Sequence, residues 1–194
     1  MPKIYTLGPA GSCHENALNA YLSFQGVCDA KIIFVDDLVA AAEKAANSGD
    51  AYLLQCSAHL NVHLVTERYR DRFQVVDTFI YPTQPIAVVK RRNVAHPRTL
   101  GLPKPTLGYI NESEWDELFF ETTKPVVEQK LLAGAYDAGV AYVASVERHP
   151  NKLELVQEIG QVVTTWILYG CEPRYDGKII ANTFPQFKLE PSSA

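Results

Sequence analysis

Residues 4–18 of the chain are IYTLGPAGSCHENAL, and this stretch decides the fold. Its first part predicts a strand, Lys3–Leu7, and Ser12 is a good N-cap for a helix from about Cys13 to Phe24. Gly8–Gly11 forms a tight turn between them, and the N–H groups at the helix start favour a carboxylate or a phosphate. The residues leave two interpretations open, an anion site or a plain connection between strand and helix. The spacing matches neither a dinucleotide fingerprint nor a P-loop.

Strands and helices continue to alternate after this first unit. Lys31–Val35 is predicted as a strand, Asp36 as the N-cap of a helix from Asp37 to Ala46, and Ala51–Leu54 as a buried strand. This βαβαβ order is typical of a parallel sheet covered by helices. Further along, the pattern predicts short helices after Asn61 and after Pro125, and the strands Phe73–Ile80, Ile86–Lys90, Thr99–Leu102, Leu118–Glu121, Gly139–Val143, Leu153–Ile159 and Val162–Tyr169.

The order of these elements predicts two α/β units joined by two crossings. Residues 1–82 together with 161–194 are expected to form one lobe, and residues 83–160 the other. The chain would cross near Tyr81–Gln84 and again near Ile159–Val163. Open α/β sheets bind ligands at the carboxyl ends of their strands, so two facing sheets make a cleft with a hinge.

Composition limits the function classes. The chain has 194 residues, of which 47% are hydrophobic and 21% charged, and its net charge is −4. A negative balance argues against nucleic acid or an anionic membrane as partner. The N-terminus lacks the apolar stretch of a secretory signal, and no run approaches about 18 apolar residues. The four cysteines show no CxxC spacing, so we expect free thiols in a cytoplasmic protein with no metal site and no cofactor.

Three stretches resemble the catalytic domain of prephenate dehydratases. Gly8, Pro9 and Gly11 match the family's opening Gly-Pro-x-Gly motif. Phe120–Val127, with the helix and strand after it, resembles the family's Ser-Thr-Ala helix start, and Val163–Leu168 is similar to its Thr-Arg-Phe strand. The resemblance covers about residues 3–170 in the same order. It implies a two-lobed fold of the periplasmic-binding-protein type II kind, with a cleft for an anionic, prephenate-like substrate.

The departures from the family pattern predict a changed active site. The arginine of Thr-Arg-Phe, which holds a substrate carboxylate in the family, is Thr165 here. The family's Pro-x-Glu-Asn-Ser turn is Leu53–Ser57, LLQCS, without the glutamate or the asparagine. The regulatory ACT domain of dehydratases is not expected in so short a chain. In length, and in having Glu15, the chain most resembles the short prephenate decarboxylases of bacilysin-type antibiotic biosynthesis.

That resemblance implies a carbon–carbon lyase that decarboxylates prephenate without aromatising it, giving a dihydro-4-hydroxyphenylpyruvate. Two alternatives stay open. The chain could be a prephenate dehydratase, or a related lyase or isomerase on another cyclohexadienyl keto acid. It could also be a cytosolic sensor that binds a small anion without catalysis, because a fold does not fix a function.

The catalytic candidates are Glu15, His14 and Thr164. Glu15 could act as acid or as partner of the ring hydroxyl, or it could simply stabilise the first turn of the helix. The helix dipole disfavours a charged His14, which would then be a hydrogen-bond donor. Thr164 and Thr165 point to opposite sides of their strand, and by analogy with the family Thr164 faces the cleft.

The remaining candidates would bind the substrate. They are Gly11, Ser12, Cys13, Ser57, Lys104, Thr106, Thr122, Thr123 and Thr165. Lys104 or Lys124 could replace the missing arginine, although either could equally be a solvated surface residue. The expected partner is a small carboxylate. A homodimer through Ile179, Ile180, Phe184 and Phe187 is possible, and packing within the chain explains these residues equally well.

Overall fold

The computed structural model describes residues 1–182. In this part the helices are α1 Cys13–Phe24, α2 Leu38–Ser48, α3 Val62–Tyr69, α4 Lys124–Leu132 and α5 Val143–Arg148, with 3-10 turns at Lys104–Tyr109 and Glu112–Glu114. The strands are β1 Lys3–Leu7, β2 Lys31–Val35, β3 Ala51–Cys56, β4 Gln74–Pro82, β5 Ile86–Arg91, β6 Thr99–Pro103, β7 Glu117–Glu121, β8 Ala138–Tyr142, β9 Leu153–Gly160 and β10 Val163–Gly170. None of the described helices is long and apolar enough to cross a membrane.

The strands form two mixed sheets of five strands each. The first has the order β2-β1-β3-β10-β4, and the second the order β7-β6-β8-β5-β9. In the first sheet β1 is parallel to β2 and β3, while β10 is antiparallel to β3 and β4. In the second sheet β6 is parallel to β7 and β8, while β5 is antiparallel to β8 and β9. The chain therefore passes from the first sheet to the second between β4 and β5, and returns between β9 and β10.

The sequence predicted one lobe from residues 1–82 with 161–194 and another from residues 83–160. That these are separate lobes with these boundaries stays a prediction. Residues 183–194, which include Phe184 and Phe187 of the suggested dimer contact, lie outside the described part of the chain. Within residues 1–182 there is no ACT domain, since every described strand belongs to one of the two sheets.

The turn between β1 and α1 depends on its two glycines. A Cβ atom on Gly8 would lie 2.9 Å from the Cβ of Phe34, so only glycine lets the turn pass β2 so closely. Gly11 has φ +84°, which side chains disfavour. Ser12 then caps α1, because its Oγ accepts from the amide of Glu15 and donates to the carbonyl of Leu7. This geometry buries the first two residues of the helix between the sheets.

Two apolar clusters cover the faces of the first sheet. Ala41, Ala42 and Ala45 of α2 pack on one face, and Ala17 and Leu18 of α1 on the other. The α1 cluster also contains Trp166 of β10 and Tyr142, which ends β8 in the second sheet. The two sheets are therefore in direct apolar contact at the point where α1 begins.

Two boundaries differ from those expected for a visible structural reason. The N-cap of α2 is Asp37 and not Asp36, because the Asp37 carboxylate accepts from the amides of Val39 and Ala40. The strand expected to reach Val143 ends at Tyr142, and a short helix, α5, follows. The hydroxyl of Ser145, on α5, donates to the buried Glu128. This contact with α4 turns the chain away from the sheet.

Candidate functional site

A cavity of about 110 Å³ lies between the two sheets. From the side of the first sheet its wall includes Ser12, Cys13, His14, Cys56, His59, Thr164 and Trp166. From the side of the second sheet it includes Pro103, Thr106, Tyr109, Thr122, Thr123, Lys124 and Tyr142. The wall is formed where β3, β6, β7 and β8 end, which is the edge at which open α/β sheets bind ligands.

The donors at the start of α1 are already bonded within the protein. The amide of Gly11 donates to a carboxylate oxygen of Glu15 at 2.6 Å. The amide of Cys13 donates to the hydroxyl of Tyr142 at 2.8 Å, and Ser12 is the helix cap. An anion at this turn would have to displace these partners, so the turn is a closed connection in this conformation.

Glu15 faces away from the cavity. With Gly11 it lines a second depression, which shares Ser12 and Tyr142 with the cavity wall. Its carboxylate closes the first turn of α1 by bonding the Gly11 amide. This arrangement fits the structural interpretation of Glu15, and its catalytic role stays a prediction.

His14 is buried beside Trp166, with the two rings edge to face and their centroids 5.1 Å apart. Burial is the main cause that lowers the pKa of His14 to about 3, and the nearby His59 and Lys124 lower it further. The ring is therefore neutral near pH 7. Its Nε2 accepts from the amide of Cys56 at 3.4 Å, so the proton is assigned to Nδ1. Burial, more than the helix dipole expected from the sequence, keeps this residue uncharged.

Thr164 lines the cavity with Trp166, two residues further along the same face of β10. Its hydroxyl lies 3.4 Å from the hydroxyl of Ser57 and 3.7 Å from the sulfur of Cys56. Thr165 is not part of the cavity wall, and its carbonyl accepts from the amide of Ser57. Thr164 thus belongs to the wall, whereas Ser57, which is bonded to it, and Thr165, which holds the turn after β3, do not line the cavity.

Thr123 and Lys124 begin α4 at the opposite wall. The hydroxyl of Thr123 is buried and has no hydrogen-bond partner among the described residues. The amides of Lys124 and Val126 belong to the first turn of α4, where N–H groups have no intrahelical partner. The ammonium of Lys124 lies 5.8 Å from the centre of the Tyr142 ring, and burial lowers its pKa. Thr122, beside them, is exposed and also lines the cavity.

Lys104 does not reach the cavity. Its side chain is exposed and lies 5.9 Å from the centre of the Phe120 ring. Thr106 does line the wall, but its hydroxyl donates to the carbonyl of Pro103 at 2.6 Å. Of the two lysines considered from the sequence, the structure brings Lys124 to the cavity.

Tyr142 and Cys56 line the wall but were not among the site residues expected from the sequence, and His59, which the sequence placed near the cleft turns, also lines it. Tyr142 could have been found, because it is an aromatic residue at the carboxyl end of a buried strand. Burial is the main cause that raises the pKa of Tyr142 above its usual value, and burial also raises the pKa of Cys56 and lowers that of His59. All three groups are therefore held neutral near pH 7.

The charged side chain in the cavity wall is cationic, although the net charge of the chain is −4. As far as residues 1–182 form it, the wall contains Lys124 but no aspartate or glutamate. In the same part of the chain no cluster of three His, Cys, Asp or Glu side chains could hold a metal ion. The wall therefore combines one cationic side chain with hydroxyls, neutral imidazoles and apolar groups.

No family model and no curated protein matches the sequence. Solved structures do match the fold. The prephenate dehydratase from Arthrobacter aurescens, in complex with L-Phe, is 17% identical with a TM-score of 0.63 over 93% of this chain and 62% of that chain. The enzyme from Staphylococcus aureus is 14% identical with a TM-score of 0.59 over 90% of this chain and 68% of that chain. The fold of this chain is thus similar to that of the matched parts of these two prephenate dehydratases.

A periplasmic domain has a similar fold. The periplasmic VFT2 domain of BvgS from Bordetella pertussis is 13% identical with a TM-score of 0.55 over 87% of this chain and 79% of that chain. These likenesses confirm the two-lobed α/β fold of the periplasmic-binding-protein type II kind. The chain spans less than two thirds of the length of the Arthrobacter enzyme. The reaction therefore has to be argued from the cavity itself.

Proposed function

We propose that this chain is a lyase that removes carbon dioxide from prephenate, or from a closely related cyclohexadienyl keto acid, without aromatising the ring. One observation carries the proposal. The described wall of the cavity offers a lysine and an unpartnered threonine hydroxyl at a helix N-terminus, but no carboxylic acid. Such a wall can bind a carboxylate, and it is poorly equipped to expel a hydroxyl group.

The start of α4 supports binding of the keto-acid end of the substrate. Helix N-termini favour anions, because their first N–H groups and the helix dipole point toward the ligand. The Thr123 hydroxyl and the Lys124 ammonium would add a hydrogen bond and a countercharge. A charge-assisted hydrogen bond is stronger than a neutral one. We therefore assign to Lys124 the countercharge that the family arginine supplies at the position of Thr165.

The protonation states disfavour dehydration. Loss of the ring hydroxyl as water needs an acid that can give up a proton near neutral pH. His14, with a pKa of about 3, carries no such proton, and the raised pKa of Tyr142 makes its phenol a poorer acid than usual. Hydroxyl loss would thus lack assistance from these groups.

Decarboxylation needs less from the protein. The bond between the ring carbon and the ring carboxylate breaks, its electron pair moves into the diene, and a proton from water adds to a ring carbon. Apolar wall residues such as Trp166 and Ile86 would desolvate the leaving carboxylate. Desolvation favours the departure of a neutral molecule, carbon dioxide. The hydroxyl stays on the ring throughout.

The test is to incubate the purified protein with prephenate in D2O and to analyse the products. We expect carbon dioxide and a non-aromatic keto acid that carries one deuterium on the ring. Phenylpyruvate would instead make the protein a dehydratase, and unchanged prephenate that binds saturably would make it a sensor. Neither binding nor turnover would refute the substrate assignment. Lys124→Met should abolish binding, and Lys104→Met, on the exposed lysine, is the matched control.

The sensor is the second candidate, because one cross-sheet contact favours it. The hydrogen bond between Cys13 and Tyr142 joins the two sheets beside the cavity. A sensor needs such a contact, because the contact can stabilise a closed conformation around a bound ligand. A cytoplasmic location, a role in antibiotic-type biosynthesis and a homodimer stay predictions from the sequence. Ile179 and Ile180 are exposed, at 90% and 49%, and are available for such a dimer contact.

A further inference from the structure

Lys124 lies in the cavity wall without an acidic partner. Among residues 1–182 no aspartate or glutamate forms a salt bridge with it. Its ammonium group lies near the aromatic face of Tyr142, 5.8 Å from the ring centre. The nearby Cys13 and Cys56 raise the pKa of Lys124 and so oppose the larger effect of burial. A lysine placed in this way is not needed for a structural ion pair.

The surroundings also favour the uncharged amine. Burial lowers the pKa of Lys124, because the charged form loses its hydration inside the cavity. A desolvated lysine is a known route to an activated amine nucleophile, which attacks carbonyl carbons. Lys104 has a similar aromatic neighbour, Phe120, but it is exposed to solvent. The chain thus contains a partly buried lysine in the cavity wall and a comparable exposed one outside it.

The start of α4 supplies a second, independent feature that points to a ligand. The Thr123 side chain is 7% exposed, and its hydroxyl has no partner in the described structure although it lines the cavity. In an α-keto acid the carboxylate carbon is bonded directly to the ketone carbon. A carboxylate bound by Thr123 and the first turn of α4 would therefore hold the ketone beside Lys124.

We propose that Lys124 forms an imine with the ketone of an α-keto acid bound in this cavity. The ε-amine attacks the ketone carbon to give a carbinolamine, whose hydroxyl leaves as water. Starting from the ammonium form, the products are the protonated imine and one water, so the step needs no oxidant, reductant or further reactant. The inference rests on the proposed function only for the ligand class, an α-keto acid. It does not require that the ring loses carbon dioxide.

The experiment is reductive trapping with phenylpyruvate as probe and, separately, with pyruvate. The full chain is incubated with each keto acid and sodium cyanoborohydride at neutral pH, and is then analysed by intact mass and peptide mapping. We expect one adduct per chain, with the mass of the keto acid less one oxygen atom, on the peptide that contains Lys124. An adduct spread over the surface lysines, or none at all, would overturn the inference.

Two variants make the result specific. Lys124→Arg keeps the charge and removes the nucleophile, so we expect loss of the adduct while phenylpyruvate still changes the tryptophan fluorescence on binding. Lys104→Arg should trap as much as the wild type. If prephenate is not turned over but the Lys124 adduct forms, the proposed lyase activity is refuted and imine formation is supported. If prephenate is decarboxylated but Lys124 is never trapped, imine formation is refuted and the lyase activity is supported.

Discussion

The hydroxyl of Tyr142 accepts a 2.8 Å hydrogen bond from the amide of Cys13 and lies 3.1 Å from the sulfur of the same residue, to which it donates. The two residues are 129 positions apart in the chain. Tyr142 ends β8 in the second sheet, and Cys13 begins α1, which packs on the first. A second bond, from the Gln84 amide to the Gly11 carbonyl, lies close by. The side chain of Tyr142 thus links the two sheets beside the cavity.

Removal of the hydrogen bond between Cys13 and Tyr142 should weaken the contact between the two sheets. In Tyr142→Phe the buried Cys13 amide loses its partner, and an unsatisfied buried donor costs about 1–3 kcal/mol. We expect a lower free energy of unfolding and faster hydrogen exchange of the Cys13 amide. The control is Tyr136→Phe, whose hydroxyl bonds the Val127 carbonyl within the second sheet unit. Equal exchange rates at Cys13 in both variants would disprove the link.

Thr123→Val should separate stability from binding. Its buried hydroxyl has no partner in the described chain, so an isosteric apolar replacement should be neutral or stabilise by up to about 1 kcal/mol. The same change should weaken the binding of prephenate. Thr106→Val, which removes a bonded hydroxyl on the same wall, should instead lower stability by about 1 kcal/mol. Thermal unfolding and ligand titration measure the two effects, and unchanged affinity in Thr123→Val would remove this residue from the site.

Glu15→Gln tests the two interpretations of that residue. An amide can still accept from the Gly11 amide, so only the charge at the helix N-terminus is lost, which costs about 0.3–1 kcal/mol of stability. Because Glu15 faces the second depression, we expect turnover of prephenate to remain close to that of the wild type. Steady-state kinetics decide the point. A large fall in kcat with unchanged stability would instead make Glu15 the acid of the reaction.

His14 should make stability depend on acid pH. Its pKa is about 3 in the folded protein, below the ordinary 6.5, so the unfolded chain binds the proton more readily. Stability is therefore full above about pH 6.5, decreases as the pH falls, and levels off below about pH 3. The loss is at most about 5 kcal/mol, at about 1.4 kcal/mol per pKa unit. The lowered pKa of His59 contributes in the same direction.

Urea unfolding at several pH values measures this dependence. His14→Gln should make it less steep between about pH 3 and 6.5, since one titrating ring is gone while His59 remains. His96→Gln, at an exposed position, should leave the slope as it is in the wild type. An unchanged slope in His14→Gln would mean that His14 is not buried in solution.

Local chemistry made much of the fold predictable. Ser12 caps α1, and Pro125 stands in the first turn of α4, because caps and first turns depend on neighbouring residues only. The buried strands follow from apolar runs between turn residues. The short α5 could not be foreseen, because it depends on the contact between Ser145 and Glu128, which are 17 residues apart.

By itself the sequence determined the order of strands and helices and the two-unit α/β fold, since these follow from side-chain periodicity and turn chemistry. The inward face of β10 was expected only from the resemblance to the dehydratase family. Only the tertiary structure decided which polar groups remain available to a ligand. In the folded chain the amide of Gly11 donates to Glu15 and the amide of Cys13 donates to Tyr142, so neither is available. The fold also brings Lys124 rather than Lys104 to the cavity. The physical reason is that availability depends on burial and on partners from distant segments, which no local pattern contains.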